Sequence, residues 1–100
     1  MVLPSSDIRK AGERALARLD GLQSDGSVET KQQLNEALQL LVAMRDGLIE
    51  SRRAGAPVDE WLSRTNGILS SLFGTEFPKG GLQWKRVCES RERLRDLLHQ

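Results

Sequence analysis

The chain has 100 residues, 38 % of them hydrophobic and 29 % charged, with a formal net charge of +1. That is one domain's worth of polypeptide, with material for a single core, and no apolar run nears the ~20 residues that a membrane-spanning helix needs. Charge is spread evenly, about +1 over residues 1–22, −1 over 23–56, −1 over 57–81 and +2 over 82–100. The clustered cations that attract nucleic acid or anionic lipid without specificity are therefore missing.

The opening residues, Met1 to Asp7, lack a basic segment followed by an apolar stretch, so no secretory signal is expected. Cys88 is the only cysteine and cannot form an internal disulfide. The expected compartment is the cytoplasm.

A first helix is expected from Ser6 to Asp20. Ser6 suits an N-cap and Asp7 the positive end of the helix dipole. Ile8, Ala11, Ala15, Leu19 and Leu22 repeat at helical spacing with Gly12 among them, and Gly21 with Ser24-Asp25-Gly26-Ser27 supplies a stop and a turn. The second helix, Val28 to Arg53, is the longest, roughly 39 Å at 1.5 Å per residue. Its apolar positions are Leu34, Ala37, Leu38, Leu40, Leu41, Val42, Met44, Leu48 and Ile49. They span an arc near ~200°, where an ordinary surface helix needs little more than ~100°. The spacing thus predicts a helix packed on two sides, either central to a bundle or half of a dimer seam.

Ala54-Gly55-Ala56-Pro57 ends that helix, and Pro57 suits the first turn of a third helix running to Phe73. Its stripe is Val58, Trp61, Leu62, Thr65, Ile68, Leu69, Leu72 and Phe73, with Gly74 as a left-handed terminator. Residues 75–81 read as a loop anchored by Phe77. A fourth helix follows from Leu82 to Leu98, with Trp84, Val87, Cys88, Leu94 and Leu98 on one face. No strand-like alternation and no internal repeat occur. The expected fold is all-α, one domain over residues 1–100, a three- or four-helix bundle with one long central helix.

Chemistry-bearing patterns are sparse. The single histidine, His99, and Cys88 fall short of the three or four ligands of a zinc site. No imidazole stands where it would activate a serine, and Lys79-Gly80-Gly81 lacks the spacing of a phosphate-binding loop. No metal, no cofactor and no catalytic residue is expected, and the chain is not read as an enzyme.

Nucleic-acid recognition is the stronger competitor. On the third helix Ser63, Arg64, Asn66 and Ser70 could face outwards as a reading helix, but it opens with Asp59 and Glu60, the wrong sign for phosphate. The fourth carries Lys85, Arg86, Arg91, Arg93 and Arg95, but Glu89–Arg93 and Glu92–Arg95 have the spacing of internal ion pairs, which mark a solvated face.

Protein contact is favoured by the wide apolar arc and by two misplaced cations. Arg45 projects between Leu38 and Leu41, and Arg91 among Val87, Cys88 and Leu98. Each must reach water along its stem, pair with a carboxylate or face a partner. Trp61 and Trp84 close the third and fourth helices together or serve as interface anchors.

The sequence therefore points to a small regulatory or adaptor protein, an inhibitor, anti-activator or chaperone of a larger partner. It is expected to act as a homodimer and to make no membrane contact. The expected partner or dimer interface is Leu38, Leu41, Arg45, Leu48, Trp61, Trp84 and Arg91. The alternative is a compact DNA-binding regulator that reads with its last helix.

Overall fold

A computed structural model describes residues 6–22, 28–73 and 84–99. They form four helices and no strand: α1 (Ser6–Asp20), α2 (Val28–Arg53), α3 (Asp59–Phe73) and α4 (Trp84–Leu98). The all-α bundle expected from the sequence is the observed fold. Gly74, Phe77, the turn at 24–27 and the start of the fourth helix at 82–83 lie outside the described residues.

The four helices close into a ring. Backbones approach between α1 and α2, α2 and α3, α3 and α4, and α4 and α1. Ile8 meets Gly47 and Gly12 meets Met44, so residue numbers fall on one helix as they rise on the other. Arg9 likewise lies at Leu98, while Asp20 lies at Arg91 and Arg95. Neighbouring helices are thus antiparallel, the up-and-down order that short connections give. The interior is filled by Ala15, Leu19, Leu41, Met44, Leu48, Trp61, Ile68, Leu72, Leu94 and Leu97, each almost or wholly without solvent exposure.

This arrangement explains the wide apolar arc of the long helix. It stands with α1 on one flank and α3 on the other. A helix so placed needs an apolar surface facing the interior and both neighbours, an arc near ~200° rather than ~100°. Leu34, Ala37, Leu38, Leu41, Met44 and Leu48 are buried, and Leu40, Val42 and Ile49 at the edges pack partly against the same core. The chain covers its own wide stripe.

Two joints show how local sequence sets the geometry. At the end of α2, Ala56 N–H donates to the Ser51 carbonyl and Gly55 N–H to the Arg52 carbonyl, both at 2.9 Å. This 6→1 and 5→2 pairing is the Schellman cap, and Gly55 supplies the left-handed residue it requires, with φ at 94°. α3 begins at Asp59, two residues later than expected, so Pro57 precedes the helix instead of sitting in its first turn. Val58 is the capping position, because its carbonyl accepts the first helical bond, from Leu62 N–H at 2.9 Å.

The crossing of α1 over α2 depends on glycine. A Cβ on Gly47 would lie 2.8 Å from Ile8 Cγ1, and one on Gly12 would lie 3.0 Å from both Leu98 Cδ2 and Met44 Sδ. Glycine in mid-helix lowers helix propensity by roughly 1 kcal/mol relative to alanine. At these two places the helices are close enough to use the missing side chain.

Candidate functional site: the outward cleft of the third and fourth helices

The expected interface residues separate into two groups. Leu38, Leu41, Leu48 and Trp61 are enclosed by the chain's own helices, Leu41, Leu48 and Trp61 with no solvent exposure at all. A dimer seam through them would require the bundle to open, so the apolar arc of α2 carries no argument for self-association. Trp84 is half-buried against the same core. Phe77, the expected loop anchor, and the side chain of Phe73 lie outside the described residues.

Arg45 and Arg91 resolve as the alternatives to burial allowed. Arg45 reaches the surface along its stem and its Nη2 donates to Asp46 Oδ1 at 3.3 Å. Arg91 sits between two carboxylates, with its Nε 3.4 Å from Glu92 Oε1 and 3.7 Å from Asp20 Oδ1. Arg95 completes the cluster by donating to Asp20 Oδ1 at 2.6 Å and to Glu92 Oε1 at 3.5 Å. Asp20 thus ties the end of α1 to two successive turns of α4, and Arg9 donates to the Leu98 carbonyl near the opposite end. These arginines hold α4 in place. Asp20's role is not legible from local sequence, because its partners lie more than seventy positions away.

This changes the face that α4 presents. Of its five cations, Arg91 and Arg95 are occupied within the molecule. The expected Glu92–Arg95 pair is present, but Glu89 and Arg93 form no ion pair among those described. Arg93 is left exposed on the flank that α4 turns toward α3.

There it meets α3. A cleft of about 260 Å³ is lined by Ser63, Arg64, Gly67 and Ile68 from α3 and by Arg93 from α4. Ile68 is buried beneath it, while Ser63 and Gly67 are open to solvent and Arg64 is half-buried. A Cβ built on Gly67 would meet nothing within 4 Å. Unlike Gly12 and Gly47, this glycine is required by no contact inside the protein. The outward position of Arg64 on α3 follows from local periodicity, whereas its place beside Arg93 depends on how α3 and α4 pack.

A second cleft, between α1 and α2, is lined by Arg14, Arg18, Glu36, Gln39 and Leu40. Here Arg18 Nε lies 3.3 Å from Glu36 Oε2, so the groove holds a carboxylate that answers one of its own cations. Of these two clefts, the α3–α4 one has two arginines and no acid in its lining.

Among the described residues no three His, Cys, Asp or Glu side chains gather as metal ligands, and no helix is long and apolar enough to cross a membrane. Cys88 is a free, half-buried thiol on α4. Neither a family model, nor a curated protein, nor a solved structure matches the chain.

Proposed function

We propose that this chain acts by binding another protein, as a small regulatory or adaptor module, and that the outer face of α3 and α4 is its contact surface. The supporting observation is the juxtaposition of Arg64 and Arg93 beside the open backbone of Gly67. Arginine is enriched in protein interfaces because its planar guanidinium binds carboxylates and stacks on flat groups while being weakly hydrated. The rest of the bundle acts as a rigid support, since its apolar surface is spent on its own core.

This reading moves the contact from Leu38, Leu41, Leu48 and Trp61, which are enclosed in the core, to the outer face of α3 and α4. It sets self-association through Leu38, Leu41 and Leu48 aside, because those side chains support the fold. It also ranks above DNA binding by α4, whose cationic row is interrupted where Arg91 and Arg95 turn inward to Asp20.

The test is photo-crosslinking in the producing cell, with the reactive residue placed at Ser63 in one variant and at Ala17, an exposed position on α1, in another. A discrete protein adduct from position 63 but not from position 17, lost on Arg64→Glu with Arg93→Glu, is the expected result. Equal adducts at both positions, or none at 63, would overturn it.

A further inference from the structure

We propose that the α3–α4 cleft receives a carboxylate side chain from an acidic segment of the partner protein, held between Arg64 and Arg93 over Gly67. This rests on the protein-contact reading and adds the chemistry of what is bound.

Three independent features converge. The first is an imbalance that the sequence does not require. Glu60 stands four residues before Arg64, and Glu89 four before Arg93, the order in which an i,i+4 pair on a helix is most favourable. Elsewhere the molecule makes local pairs of other order or spacing: Arg9 with Glu13 at 3.9 Å, Arg53 with Glu50 at 3.1 Å and Arg95 with Glu92 at 3.5 Å. At the cleft neither Glu60–Arg64 nor Glu89–Arg93 pairs among the described residues, and both arginines line the opening.

The second is Gly67. Alanine would favour the helix and fit without contact, so the fold itself gives no reason for glycine here. Its effect is to expose the backbone and deepen the cleft between the two arginines. The third is charge sign: the lining holds two cations and no acid, and a carboxylate that enters it can accept charge-assisted hydrogen bonds from them.

A protein acid fits better than a nucleic-acid strand. Phosphate backbones are tracked by rows of cations. This cleft has two, with Glu60 on α3 and Glu89 on α4 nearby in sequence. A short acidic segment can enter between such flanks, whereas a continuous polyanion would run against them.

The test uses the full chain and a fluorescein-labelled helical peptide rich in Glu, with a control in which every Glu is Gln and a DNA duplex of equal charge. Binding is read by anisotropy. The acidic peptide is expected to bind more tightly at low than at physiological salt, and the Gln peptide not at all. Arg64→Glu and Arg93→Glu should each weaken binding on the order of fivefold or more, the scale of one partly exposed ion pair. Arg14→Glu in the other cleft should leave it unchanged. Gly67→Leu should weaken it while thermal unfolding shows the fold intact.

Acidic-peptide binding indifferent to Arg64→Glu and Arg93→Glu, or absent altogether, would overturn the proposal. So would duplex binding that depends on these two arginines more strongly than peptide binding does. If position 63 still crosslinks to a protein while the acidic peptide fails, the contact surface stands and only the carboxylate chemistry falls. If the peptide binds but no cellular adduct forms, the cleft chemistry stands and the contact function falls.

Discussion

Gly47 and Gly67 both sit inside helices, and one substitution should have opposite consequences at the two. At Gly67 an alanine Cβ meets nothing within 4 Å, so the change should express helix propensity alone, a gain of about 1 kcal/mol. At Gly47 the same atom would stand 2.8 Å from Ile8 Cγ1 and 3.3 Å from Ile8 Cδ1. Carbon atoms pack best at about 3.5–4.0 Å. Ile8 is β-branched, with Cγ1 fixed close to its own backbone, so relief requires moving α1 as a body. Overpacking of this kind costs about 1–3 kcal/mol. Set against the same propensity gain, Gly47→Ala should be neutral to about 2 kcal/mol destabilising, leaving roughly 1–3 kcal/mol between the two variants. Urea unfolding followed by circular dichroism resolves that gap, provided the slopes agree so that the midpoints report stability. The double change Ile8→Ala with Gly47→Ala should cost less than the sum of the single changes, by about 0.5 kcal/mol or more for residues in contact. Equal stabilisation by alanine at both glycines, or strict additivity with Ile8→Ala, would refute the close crossing of α1 and α2.

Ser90 is fully buried and its hydroxyl has no hydrogen-bond partner among the described residues. Ser90→Ala should therefore raise stability by about 1 kcal/mol, seen as a melting temperature higher by about 4–8 °C; a clear loss would show a bond that this geometry does not hold. Leu41→Asp should abolish cooperative unfolding, because Leu41 has no solvent exposure and an unpaired carboxylate cannot be accommodated there; a folded, dissociated variant would instead restore the dimer-seam reading. Asp20→Asn should cost at most about 1 kcal/mol, since the cluster is partly exposed and screened, with the deficit shrinking at high salt. A deficit unchanged by salt would contradict an electrostatic tie. Gly55→Ala should cost about 1 kcal/mol through its φ of 94° alone, because no side chain would obstruct it; a neutral result would argue against the left-handed cap.

Local rules carried the secondary structure well. The stripe of α3 from Val58 to Leu72 is buried as its periodicity indicates, and Gly55 is the cap its position suggests. Thr65, polar by type, belongs to the stripe because its hydroxyl donates to the Trp61 carbonyl at 2.7 Å within the same helix. The wide stripe of α2 was legible as two-sided packing, but periodicity on one helix cannot say whether the second neighbour comes from the same chain. The ring supplies it in α3. On α4 the buried face includes Ser90 and Leu97, shifted from the stripe that Trp84 and Cys88 suggested, because an interior serine gives no hydrophobic signal. The cleft was the least legible feature. Arg64 and Arg93 were each visible as outward cations, yet their encounter and the freedom of Gly67 arise only once α3 and α4 lie side by side.

The contact that closes the ring carries a further consequence. Three sides of the bundle join helices adjacent in sequence, but the fourth pairs α1 with α4, through Asp20 with Arg95 and Arg9 with Leu98, residues 75 and 89 positions apart. With only the first three helices in place, the side of α1 that meets Leu98 at Gly12 stays uncovered. Completion of the core therefore waits on a contact between sequence-distant ends of the bundle, which slows folding relative to a bundle closed by neighbouring helices alone.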